Sequence, residues 1–80
     1  MKIPAIKKLV ETYSIEQLKQ AEEALLEEQT PAIEVEGADE GECLTHVLAA
    51  IFILHTMQQD KVEFMAALRT YTQKVRVSIS

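Results

Sequence analysis

The chain has one cysteine, two glycines, two prolines and no tryptophan among its eighty residues, and between Gln20 and Asp60 it has no lysine or arginine. Each shortage excludes something. A single thiol, Cys43, rules out an internal disulfide and fits a reducing compartment. With Gly37 and Gly41 as the only glycines, there is no Gly-rich phosphate loop and no Walker pattern. No nucleophile elbow or general acid/base pair is present either. The longest apolar run, Val47 to Leu54, falls well short of the roughly 18 residues of a membrane span. The opening residues 1–8 carry a charge every few positions and lack the apolar core of a secretion signal. These features lead us to expect a cytoplasmic protein with no membrane partner.

What is present is enough for one folded domain spanning residues 1–80. The chain is 48% apolar and 26% charged, a composition that folds. At this length about 60% of the unfolded surface can be buried, which makes a modest core. The net charge is −5, and its distribution is uneven: ten acidic residues fall within Gln20–Asp60, whereas Lys61, Arg69, Lys74 and Arg76 follow against Glu63 alone. An acidic surface of this kind repels phosphate backbones, so nucleic acid is not an expected partner.

The apolar periodicity predicts a mainly α, small four-helix domain, with helices at about 4–12, 15–29, 40–58 and 61–77. Pro4 suits a first helical turn, and Ile3, Ile6, Leu9 and Val10 follow at helical spacing. Ser14 with Gln17 has capping-box spacing, and Tyr13 with Leu18 has that of a hydrophobic staple. Pro31 should end the second helix near Gln29. Asp39/Glu42 and Asp60/Glu63 repeat the capping-box spacing. The third helix is apolar on all sides, which predicts that it forms the centre of the fold. Residues 32–36 alternate, Ile33 and Val35 against Glu34 and Glu36; this is a short extended or strand segment. Its possible partners are the C-terminal residues 74–79, which also alternate, or a second subunit. The last helix carries Phe64, Leu68, Tyr71 and Val75 on one stripe.

Few residues invite chemistry. Cys43 and His46 are three apart near the start of the third helix and are the catalytic candidates, for a redox accessory or small enzyme. Glu40 and Glu42 disfavour a thiolate there, so the plainer reading is a core thiol beside a hydrogen-bonded histidine. Glu42 and His46, at i,i+4, are the metal candidates. His46 and His55 lie on opposite faces of one helix and cannot share an ion. Weak divalent-cation binding by residues 34–42 is a further alternative. Calcium-loop spacing fails, however: counting from Glu34, the glycine position is Asp39 and the closing glutamate is Thr45. No cofactor is expected. The interaction surface comprises Glu27, Glu28, Glu34, Glu36, Asp39, Glu40, Arg69 and Arg76. Glu27 and Glu28 at a helix C-terminus are unfavourable by a few tenths of a kcal/mol, roughly, and a basic protein partner would relieve them.

The segment Gly41-Glu42-Cys43-Leu44-Thr45-His46-Val47-Leu48-Ala49-Ala50 and the ending Arg69-Thr70-Tyr71-Thr72-Gln73-Lys74-Val75-Arg76 resemble those of a family of short uncharacterised bacterial proteins, a domain of unknown function. The resemblance runs the length of the chain and implies a bacterial, cytoplasmic protein. It transfers no functional residue. From the residues themselves, the leading expectation is a small interaction or structural module, more an interaction protein than an enzyme. An apolar third helix with small companions points to a homodimer.

Overall fold

The computed structural model describes residues 2–79 of the chain, and the side chains of residues 2–74. It has four helices: α1 (Ile3–Thr12), α2 (Ile15–Leu26), α3 (Glu40–Asp60) and α4 (Phe64–Ile79). The hub is α3, against which α1, α2 and α4 each pack. The core draws on all four, with Ile6, Leu18, Val47 and Ile53 fully enclosed. Each such aliphatic side chain contributes about 1.5–3 kcal/mol. Ala49 and Ala50 are also fully buried; small side chains here let neighbouring helices approach α3 closely.

In α1, Pro4 sits in the first turn, and Ala5, Ile6, Leu9 and Val10 form its buried stripe. The break before α2 follows its sequence signals. The Gln17 N–H donates to Ser14 Oγ (3.3 Å) and the Ser14 N–H to Gln17 Oε1 (2.9 Å). This complete capping box satisfies two helix-end donors.

α2 stops three residues before the expected Gln29. The Glu28 N–H turns back to Leu25 O and the Gln29 N–H to Ala24 O at 2.7 Å. This is a Schellman ending, which reverses the chain before Pro31 can act. It places Glu28 at φ 60°, a left-handed conformation that glycine adopts freely and a side chain resists by roughly 1 kcal/mol. Glu28→Gly is therefore expected to raise the melting temperature by about 4–8 °C, measured by thermal circular dichroism. An unchanged or lower melting temperature would show that the residue is unstrained there.

α3 starts at the expected cap, the Glu42 N–H donating to Asp39 Oδ1 at 2.7 Å, but the box is not closed: Glu42 Oε1 accepts from the Ala38 N–H and not from that of Asp39. The third capping box does not form. α3 continues through Asp60, past the expected end at 58, and Lys61 closes it in the left-handed conformation (φ 54°). α4 therefore begins at Phe64 rather than 61. Its Phe64, Ala67 and Leu68 face the core. The backbone remains helical to Ile79, so residues 74–79 do not form the alternating strand considered above.

No strand occurs among the described residues. Residues 32–36 keep the predicted alternation nonetheless: Ile33 and Val35 are half-buried against the core, and Glu34 and Glu36 face out. Side chains of α3 take up two of the segment's carbonyls: Cys43 Sγ donates to Val35 O and His46 Nδ1 to Glu36 O.

Candidate functional site

The contact between the extended segment and α3 is built from the first two turns of that helix. Cys43 Sγ donates to Val35 O at 3.6 Å, and the Ala38 N–H donates to Glu42 Oε1 at 3.1 Å. His46, completely buried, makes the central contact. Its Nδ1 lies 2.7 Å from Glu36 O, and its Nε2 lies 3.0 Å from the backbone N of Lys2. A carbonyl accepts only and an amide N–H donates only. The ring is therefore the neutral tautomer with its proton on Nδ1, donating to Glu36 O and accepting from Lys2. One imidazole clasps the start of α1, the 29–39 segment and α3 together.

Gly37 follows the clasped Glu36. A side-chain carbon on it would lie 2.7 Å from Cys43 Sγ and 2.8 Å from Cys43 N. The segment can lie this close to α3 only because that carbon is missing.

This geometry defines what the candidate residues can do. Both ring nitrogens of His46 hold backbone groups, so the ring can ligate a metal or relay a proton only by breaking the clasp. His55 is exposed on the other side of α3. Among the described residues no group of three or more His, Cys, Asp or Glu is placed to hold a metal ion. The Cys43 thiol is pushed above its usual range, first by burial and then by the carboxylates of Asp39, Glu42 and Glu40. A raised pKa means that the folded state holds the proton more tightly than the unfolded one. The thiol's contribution to stability is thus intact below the unfolded pKa and is lost as pH rises through the folded value. Alkylation of Cys43 by iodoacetamide at pH 8 is expected to run several-fold slower than that of a free cysteine, which has a pKa of about 8.5. An equal or faster rate would contradict this protonated, shielded thiol.

The acidic candidates divide by role. Asp39 caps α3, and Glu42 holds the Ala38 N–H. Glu36 pairs with Lys8 at 3.6 Å, both side chains more than half exposed; such a pair contributes at most about 1 kcal/mol. Glu27, Glu28, Glu34 and Glu40 are exposed. Arg69 is exposed on α4, and no ion pair among the described residues ties it to these carboxylates. The side chain of Arg76 lies outside the described residues.

α3 also presents a face that the described residues of the other helices leave partly open. Leu48 is 45% exposed, Leu44, Ile51 and Phe52 are half-buried, and His55 is exposed. Residues 43–59 contain no Lys, Arg, Asp or Glu. Tyr71 stacks at a tilt against Phe52 (centroids 5.4 Å apart), and Lys74 Nζ lies 5.3 Å from the Phe52 ring centre, so α4 borders one side of the face. Periodicity alone cannot find such a stripe on a helix that is apolar all round. Only the placement of its neighbours shows which side stays open.

No helix among the described residues is long and apolar enough to cross a membrane. The whole chain, residues 1–80, matches a family of unknown function, DUF6952, and belongs to it. No curated protein and no solved structure matches the chain.

Proposed function

We propose that this chain is a small cytoplasmic protein–protein interaction module that works as a homodimer, two copies of α3 crossing antiparallel along Leu44, Leu48 and Ile51. The open stripe of α3 is the observation that carries this reading. Its residues Leu44, Leu48, Ile51 and His55 are spaced four, three and four apart, the alternation of a two-helix seam. That spacing is the same read in either direction. A two-fold interface needs a patch that complements itself, and here Leu48 of one copy meets Ile51 of the other. Charge selects the direction. A parallel pair would bring together two acidic helix starts, each with Asp39, Glu40 and Glu42. An antiparallel pair sets each start against the partner's Gln58–Lys61 end, where Asp60 and Lys61 offset each other, and opposes the helix dipoles. The outward carboxylates then leave the dimer with an acidic surface.

Sedimentation equilibrium of the wild-type chain and of Leu48→Lys tests this reading. The wild type is expected to be a dimer at high micromolar concentration. The variant places two ammonium groups in the seam and removes two leucines, which should weaken association by a hundredfold or more, roughly. Leu48 is not in the core, so the variant should keep its helical content. A monomeric wild type overturns the reading, as does a variant that associates equally well.

A further inference from the structure

We infer that the groove between the end of α2, the 29–39 segment and the start of α3 is a docking site for a basic peptide segment of a partner protein, anchored by an apolar side chain. The groove has a volume of about 360 Å³, within the range of pockets that take side chains or small ligands. Its floor is apolar: Leu25, Ile33 and Val35, beside the Cys43 thiol, all half-buried. Its rim is acidic: Glu28, Glu34 and Glu40 line it, all exposed, and no ion pair among the described residues involves any of them.

The charge on this rim has no local answer, because every element that forms the groove belongs to the stretch between Gln20 and Asp60 that lacks Lys and Arg. The C-terminal end of α2 adds its partial negative charge on one side. A neutral apolar ligand would satisfy the floor and leave the rim, and a bare cation would satisfy the rim and leave the floor wet. A leucine-sized side chain flanked by Lys or Arg answers both, and burial of the apolar group supplies the affinity that exposed charges alone do not. The groove is distinct from the open stripe of α3, so this site does not depend on self-association.

The probe is a capped peptide of alternating leucine and lysine residues, titrated into the isotope-labelled full-length chain and followed by amide chemical shifts. The titration is repeated in Leu48→Lys to separate it from dimerisation. In both chains the shifts should centre on Leu25, Ile33, Val35 and Cys43. Glu28→Gln/Glu34→Gln/Glu40→Gln, three exposed changes, should weaken binding about tenfold. A peptide with serine in place of leucine should lose binding at physiological salt. Three results overturn the inference: equal binding of the serine peptide, shifts centred on Leu44, Leu48 and Ile51, or no binding. A fourth is loss of wild-type self-association in the triple variant, which would make a second copy the occupant.

Discussion

Replacing His46 by phenylalanine is expected to destabilise the fold by about 2–5 kcal/mol, a large part of the roughly 4–12 kcal/mol available to an 80-residue domain. Phenylalanine fills nearly the same space, so little of the loss comes from a cavity. The loss comes instead from two stranded backbone groups, the Lys2 N–H and Glu36 C=O that the imidazole now joins. Both groups are part-buried, so leaving each unpaired costs up to the roughly 1–3 kcal/mol of a fully buried group. The clasp links residues 44 and 10 positions away from His46, so the substitution should release α1 and the 29–39 segment together. Urea unfolding followed by circular dichroism measures the effect. His46→Gln, whose amide also donates and accepts but cannot span both contacts equally well, should fall between wild type and phenylalanine. A loss below about 0.5 kcal/mol for phenylalanine, the scale of an ordinary surface change, would show that the clasp does not support the fold.

Gly37→Ala should be the second most damaging change, at about 1–3 kcal/mol by overpacking. The clash is only partly with the movable Cys43 sulfur. The new carbon would also lie 2.8 Å from Cys43 N and 3.2 Å from its Cα, and a helix backbone cannot step aside alone. Two controls follow from this geometry. Adding Cys43→Ala should recover only the sulfur's share of the loss. Gly37→Ala and His46→Phe should be less damaging together than the sum of their separate effects, because either one lifts the same segment from α3. Full rescue by Cys43→Ala, or strict additivity, would contradict the close packing described here.

How far the sequence could be read depended on the range of the interaction. Local chemistry was legible: Ser14 with Gln17 and Asp39 with Glu42 mark helix starts because the cap and its target lie within four residues. The alternation of Ile33 and Val35 correctly showed which side chains turn inward. The same alternation fits a strand equally well, because the pattern shows the facing of side chains and not what satisfies the backbone. The partners turned out to be Cys43 and His46, side chains of a helix. Asp60 and Glu63 had the right spacing for a cap, but α3 continued through Asp60 and the left-handed Lys61 ended it instead. The early stop of α2 likewise rests on two reversed hydrogen bonds that no composition signals. Cys43 and His46 stood out in the sequence as possible chemistry. The fold occupies both His46 nitrogens with backbone and holds the thiol against Val35 O. The open stripe of α3 was hidden for the opposite reason, an excess of signal, since every face of that helix is apolar.

Two copies that meet along α3 in opposite directions set a defined distance between equivalent positions, and that distance separates this pairing from a parallel one. A nitroxide placed at Gln59, on a Cys43→Ser background, reports the separation between the two labels by pulsed dipolar spectroscopy. With the stripe centred between Leu48 and Ile51, and a rise of about 1.5 Å per residue, antiparallel helices put the labels roughly 30 Å apart. Parallel helices would bring them to about the interaxial distance of 8–10 Å plus the label arms. A single population near 30 Å is the predicted result. A short distance, or no dipolar coupling at high micromolar concentration, would contradict it.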